Sequence, residues 1–248
     1  MTSIADILKT SAAYAADLPA VPQPIQPPVG GDIAAWIDHT LLKPDATEEQ
    51  VRKLCAEARQ YHFASVCVNP VWVRFAAEQL AGSGVPVCAV AGFPLGATPA
   101  MLKVLEALTC LNAGAREIDM VMNIGALRGE AWSVVLDDIQ AVADNVHNQD
   151  GLLKVILETG ALTRSEKITA CLLCEAAGAD FVKTSTGFGP GGATVEDVDL
   201  MYRVVGGRLK VKASGGIRNY ATALAMVQAG ATRLGASAGV QIVQEAVQ

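Results

Sequence analysis

Three lysines stand in apolar, strand-like runs, where a charged side chain is costly unless something compensates it. Lys154 lies in 153–159, Lys183 in 181–186 and Lys212 in 209–213. A fourth run, Glu117-Ile118-Asp119-Met120-Val121-Met122-Asn123, has a period of two. Ile118, Met120 and Met122 then share one face, and Glu117, Asp119, Val121 and Asn123 share the other. Lysines buried together repel one another and lose hydration. Both effects disfavour the ammonium form and lower at least one pKa. A neutral amine is a nucleophile for carbonyls, and a carboxylate such as Asp119 keeps a second lysine charged and exchanges protons with it. The chemistry these residues suggest is imine formation on a carbonyl compound. Ordinary strand-end ion pairs would explain one such lysine. They explain Lys183, Lys212 and Asp119 together poorly.

An anion seat is also legible. Gly215-Gly216-Ile217-Arg218 follows one lysine-bearing run, and Gly235-Ala236-Ser237 ends the last. Small residues let backbone amides approach a phosphate, a following helix N-terminus attracts it, and Arg218 or Ser237 adds donors. No metal or organic cofactor is expected, because His39, His62 and His147 are far apart and lack ligand spacing. His39 ends the first strand beside Asp38 and is placed near the site. Cys67 ends the second strand, where lining a pocket and simple packing are both open readings.

These residues need elements to hold them. Strand-like runs at 35–39, 65–69, 85–91, 117–123, 153–159, 181–186, 209–213 and 232–236 alternate with amphipathic helical stretches. Thr47 with Gln50, and Thr163 with Glu166, fit reciprocal capping boxes; Thr98 before Pro99 fits an N-cap followed by a helix-starting proline. A recurring Ala-Gly-Ala phrase at Gly114, Gly178 and Gly230 puts a glycine where a helix stops before a strand. Eight strand–helix units favour an α/β fold closed into a (β/α)8 TIM barrel over 32–248, with function at the C-terminal strand ends. The alternative is an open doubly wound sheet, weakened because no G-x-G-x-x-G follows the first strand. Residues 1–31 are rich in alanine and proline and are expected to form a flexible extension.

The motifs resemble the deoxyribose-phosphate aldolase family. The resemblance rests on Ile37-Asp38-His39-Thr40-Leu41-Leu42, Glu117-Ile118-Asp119-Met120-Val121 and Leu153-Lys154-Val155-Ile156-Leu157-Glu158-Thr159-Gly160. It continues through Lys183-Thr184-Ser185-Thr186-Gly187, Lys212-Ala213-Ser214-Gly215-Gly216-Ile217-Arg218 and Leu234-Gly235-Ala236-Ser237. It spans nearly everything from about Ile33 onward. It implies a (β/α)8 barrel that reversibly cleaves 2-deoxy-D-ribose 5-phosphate to acetaldehyde and D-glyceraldehyde 3-phosphate without metal or cofactor. By position it implies Lys183 as the Schiff-base lysine, Lys212 as the second lysine and Asp119 as proton-transfer partner. Gly187, Gly215, Gly216, Gly235 and Ser237 would hold the phosphate, while Asp38, Thr186 and Lys154 would sit near substrate hydroxyls or support the lysines. The family also suggests a homodimer or larger homo-oligomer. Two departures stand out: Phe188 replaces a lysine found after this motif in some members, and a C-terminal tyrosine is replaced by Gln244-Glu245-Ala246-Val247-Gln248. Rival readings are another Schiff-base aldolase or transaldolase with a different donor, a phosphosugar isomerase, and a non-catalytic phosphosugar-binding barrel.

Bulk composition narrows the partners to small molecules. The 248 residues are 51% hydrophobic with net charge −6 and show no basic stripe for nucleic acid. No apolar run reaches the roughly 20 residues a bilayer requires, and no secretory signal is visible. Six cysteines lack disulfide or zinc spacing, and the Cys171/Cys174 pair falls in a helical stretch, which fits reduced thiols and a cytoplasmic setting.

Overall fold

The computed structural model describes residues 2–28 and 30–247. Eight strands follow one another in chain order: β1 (Ile37–Leu41), β2 (Ser65–Val68), β3 (Val87–Ala91), β4 (Ala115–Val121), β5 (Leu152–Ile156), β6 (Phe181–Lys183), β7 (Lys210–Ser214) and β8 (Arg233–Ala236). Every neighbouring pair is parallel, and β8 closes on β1 through Ile37–Leu234 and Asp38–Gly235 register pairs. That closure removes the open-sheet alternative and gives the (β/α)8 barrel.

The helices are α1 (Ile4–Ala16), α2 (Glu48–Tyr61), α3 (Val73–Gln79), α4 (Ala100–Asn112), α5 (Ile124–Arg128), α6 (Trp132–His147), α7 (Arg164–Ala176), α8 (Val195–Val205), α9 (Tyr220–Gln228) and α10 (Gly239–Ala246). Both capping boxes form, at Thr47–Gln50 and Thr163–Glu166. The Thr98 cap does not form: α4 starts after Pro99 and no side chain caps it. Gly114, Gly178 and Gly230 all have positive φ, as the repeated helix stop requires. At Gly230 a Cβ would lie 2.3 Å from the Tyr202 ring, so close packing on α8 also selects glycine.

The start of the chain departs from the expected flexible extension. Ser3 caps α1, and Ile7 and Ser11 are buried, Ser11 Oγ lying 2.7 Å from Thr169 Oγ1 on α7. Beyond α1, Arg203 Nε donates to Pro19 O at 2.6 Å and Tyr202 Oη to Gln23 O at 2.7 Å. The reason is separable within the segment: residues 4–16 are free of proline and rich in alanine, a good helix former, while the prolines begin at Pro19. Strand edges also shift. The first strand begins at Ile37 because 30–36 winds as a 3-10 helix, and β6 ends at Lys183.

Apolar residues between strands and helices make one continuous core, with Ile118 and Met120 in it. The barrel interior holds a second small cluster, Leu42, Cys67, Cys88 and Val90, with Phe93 against it. The charged residues Asp38, Glu117, Asp119, Lys154, Lys183 and Lys212 are buried in the interior as well.

Candidate active site

Alternation along the strands turns one carboxylate or amine inward from each of several neighbours. Register then brings them together: Asp119 pairs with Lys154 across β4–β5, Lys183 with Lys212 across β6–β7, and Lys212 with Arg233 across β7–β8. Asp119 is the hub. Its Oδ2 accepts from Lys183 Nζ and from Lys212 Nζ, both at 2.7 Å, and its Oδ1 accepts from Lys154 Nζ at 2.9 Å. Cys88 Sγ lies 3.1 Å from the same Oδ1. Lys212 also donates to Asp38, and Lys154 sits 2.5 Å from Glu117 and 3.8 Å from Asp38. Arg233 closes the lower layer, 2.7 Å from Asp38 and 3.2 Å from Glu117, with its guanidinium over the Phe181 ring.

Four cations, Lys154, Lys183, Lys212 and Arg233, therefore face three carboxylates, Asp38, Glu117 and Asp119. Burial alone would push the carboxyl pKa values up, but the surrounding lysines outweigh it and hold Asp119 and Asp38 well below the usual range. The lowering expected of at least one crowded lysine is not found at Lys212 or Lys154. Burial disfavours the ammonium of Lys212 and Lys154, yet Asp119 and the other carboxylates hold both above the ordinary value. Asp119 holding a second lysine charged is as the sequence suggested; Asp38 and Glu117 add to it on Lys212 and Lys154. Lys183 differs in its neighbours: among the described residues Asp119 is its one carboxylate partner, whereas Lys212 has Asp38 as well and Lys154 has Asp38 and Glu117.

Above this cluster opens a cavity of about 240 Å³ at the C-terminal strand ends. Lys183 and Thr186 line it together with Gly187, Gly215, Gly216, Arg218, Gly235 and Ser237. So the amine that faces the opening and every residue assigned to the phosphate share one space. Asp119, Lys212, Asp38 and Lys154 do not line it; they lie beneath and are wholly buried. Gly215 and Gly216 are consecutive left-handed residues, leaving their backbone bare on the cavity wall. Gly235 has a second reason to be glycine, since a Cβ there would stand 2.9 Å from Ser214 Cβ and 3.2 Å from Lys212 Cε.

Other expected residues fall elsewhere. His39 points away from the mouth, with Nε2 2.7 Å from Glu57 on α2 and its ring against Phe63. Asn123 does not enter the barrel; it caps α5 by accepting from Ala126 N. Cys67 is buried in the small interior cluster beside Cys88, whose hydrogen bond draws the Cys67 thiol pKa down. Cys67, Cys88 and Asp119, and likewise Asp38, Cys88 and Glu117, bring donor atoms within 4.8 Å of one another. A divalent cation at either set would have to displace ammonium groups already bonded to those carboxylates. Two residues were missed. Arg233 precedes Gly235 by two on the inward face of β8, so alternation alone would have found it. Glu158 left no local signal; its part shows only in three dimensions.

A model of the DeoC/LacD family of aldolases matches residues 33–245. Deoxyribose-phosphate aldolase of Clostridium tetani is 54% identical over 214 residues, covering 86% of this chain and 99% of that protein. The protein of the same name from Shouchella clausii is 59% identical over 213 residues, covering 86% and 95%. A crystal structure from Coccidioides immitis, described as a candidate deoxyribose-phosphate aldolase, superposes with TM-score 0.92 at 45% identity over 99% of both chains. A tetrameric deoxyribose phosphate aldolase from Aeropyrum pernix gives TM-score 0.82 at 33% identity, covering 98% and 97%.

Proposed function

This chain belongs to the DeoC/LacD family of aldolases, and from that membership we infer that Lys183 is the amine on which its reaction runs. The reaction is the reversible cleavage of 2-deoxy-D-ribose 5-phosphate to acetaldehyde and D-glyceraldehyde 3-phosphate through a lysine Schiff base. The observation that carries the assignment is a contrast: of the three interior lysines, Lys183 alone lines the cavity, and among the described residues Asp119 is its single carboxylate partner.

The chemistry follows from those neighbours. A lysine must be neutral to attack a carbonyl. Among the described residues the interior holds one more cation than carboxylates, and Lys183 makes the fewest ion pairs of those cations. Neutral Lys183 adds to the aldehyde carbon of the open-chain sugar, and loss of water gives an iminium. The iminium nitrogen draws electrons from the carbon–carbon bond one position away. That bond breaks as the neighbouring hydroxyl gives up its proton and becomes the aldehyde of glyceraldehyde 3-phosphate. The remaining enamine takes a proton on carbon, and water then releases acetaldehyde. Asp119 Oδ2 touches both Lys183 and Lys212, so protons pass between the two amines through one carboxylate oxygen. Lys212, held charged by Asp119 and Asp38, supplies the proton store.

Gly187, Gly215, Gly216, Gly235 and Ser237 form the phosphate seat in this reading, with Arg218 as its cation. Asp38 and Lys154 support the lysines from below rather than meeting substrate. An assembly of identical chains is supported by exposed Met101, Leu102 and Leu105 along α4. A cytoplasmic setting is supported by six free, buried cysteines; among the described residues no helix is long and apolar enough to cross a membrane.

The test is turnover of deoxyribose 5-phosphate in the presence of a chelator, for the parent and for Lys183→Ala. Activity that survives chelation in the first and disappears in the second is expected. A fully active Lys183→Ala would end the assignment.

A further inference from the structure

Glu158 carries two structural costs that the reaction as described leaves unexplained. Its backbone is left-handed, φ 58° and ψ 60°, which L residues other than glycine rarely adopt. Its side chain is also buried, the residue being 3% exposed, with Thr186 as the partner of its carboxylate rather than a cation. Strain of this kind persists only where surrounding structure fixes it, and it gathers at functional sites.

Glu158 holds the loop that carries Thr186, Gly187 and Phe188. Thr186 Oγ1 donates to Glu158 Oε2 at 2.5 Å. With its one proton committed, the hydroxyl oxygen accepts from Phe188 N at 3.0 Å and Gly189 N at 3.2 Å. A carboxylate can only accept, so it fixes the direction of that hydroxyl in a way an amide does not. The segment around it presses on the same loop. Thr159 N donates to Thr184 O at 3.0 Å. A Cβ on Gly189 would sit 2.6 Å from the Glu158 carboxyl carbon, and one on Gly160 would sit 1.8 Å from Pro190 O. The end of β5 thus grips the loop after β6 at several points, and no rotor is left free at Thr186.

We infer that Glu158 is a positioning residue: acting through Thr186, it sets the loop that forms the wall of the phosphate seat opposite Gly215 and Gly216. Thr186 then serves as a hub inside the protein rather than as a donor to substrate, since its hydroxyl is already saturated. The inference rests on the aldolase reading above. It assigns Glu158 to recognition of the phosphorylated end and leaves imine formation to Lys183.

The test compares Glu158→Ala, Thr186→Val and Thr186→Ser with the parent on deoxyribose 5-phosphate and on unphosphorylated deoxyribose, alongside borohydride trapping of acetaldehyde. For Glu158→Ala and Thr186→Val, KM for the phosphorylated sugar rises about tenfold or more while kcat stays within about threefold. KM for the unphosphorylated sugar and the yield of label on Lys183 stay at parent values. Thr186→Ser, which keeps the hydroxyl, restores the parent KM. If Glu158→Ala does not fold, the near-isosteric Thr186→Val carries the comparison. An unchanged KM, equal shifts for both sugars, or failure of the serine variant to restore binding overturns the inference while the aldolase reading stands. A parent enzyme that neither consumes deoxyribose 5-phosphate nor takes label overturns the reading itself, and the inference with it.

Discussion

Lys183 and Lys212 are the same side chain on adjacent strands, and the different tasks proposed for them rest on what touches each. Lys212 is wholly enclosed and bonded to Asp119 and Asp38, whereas Lys183 reaches the cavity and has Asp119 alone. Asp119 is therefore the residue whose loss should be felt most after Lys183 itself. Asp119→Asn keeps the shape but cannot shuttle a proton, and kcat is expected to fall by about 10²- to 10⁴-fold. Steady-state kinetics with the acid and the amide decide it; a loss smaller than about tenfold would show that protons travel another way. The trio of Lys183, Lys212 and Asp119 was legible in the sequence because charge in an apolar strand is conspicuous. That Asp119 keeps a second lysine charged was legible too, but the additional partners Asp38 on β1 and Glu117 on β4 were not. Barrel closure sets Asp38 against Lys212, whereas Glu117 reaches Lys154 across the neighbouring β4–β5 pair.

At the scale of elements, the strand ends are held in place from outside the barrel as well as within it. Lys103 on α4 is fully buried, donates to Asp138 on α6 at 2.6 Å, and donates to Val121 O at the end of β4 at 2.9 Å. It clamps the strand that carries Asp119. Lys103→Met leaves the Asp138 carboxylate buried without a partner, and a loss of about 3–5 kcal/mol in unfolding free energy is expected. Adding Asp138→Leu should recover much of that loss; urea titration of the parent, single and double variants measures both steps. At the start of the chain, α1 docks on α7 through Ile7, which is 3% exposed. Ile7→Ala should cost about 2 kcal/mol or more in the same titration with turnover unchanged. No change in stability would mean that α1 does not pack as described. Helix positions were legible wherever a cap or a stopping glycine marked them. The α1 helix escaped because alanine and proline were weighed over one window, although they occupy different halves of the segment.

For the whole molecule, the buried charges set how stability depends on pH. Asp119 and Asp38 have folded pKa values below the ordinary carboxylate value of about 3.9, so their contribution is complete above that pH and is lost as pH falls through the folded values. Lys212 and Lys154 are shifted upward, so theirs is complete below about 10.4 and is lost only as pH rises through the folded values. His39 is a base whose pKa is lowered by burial, so folding resists its protonation and stability declines as pH falls below about 6.5. Burial holds the thiols of Cys55, Cys88, Cys110, Cys171 and Cys174 above the ordinary value, so stability also declines as pH rises above about 8.5. Denaturant midpoints should therefore be flat between about pH 7 and 8, decline below about 6.5 and above about 8.5, and fall steeply below about 4. A steep fall already at neutral pH would contradict the charge balance described for the interior. Which lysine forms the imine can be measured directly. The chain holds nine lysines, and incubation with acetaldehyde and borohydride followed by peptide mass mapping reports which of them forms the imine. One added two-carbon group on Lys183, absent in Lys183→Ala, is expected; label on Lys212 or Lys154 instead, or none at all, would rule out Lys183 as the reacting amine.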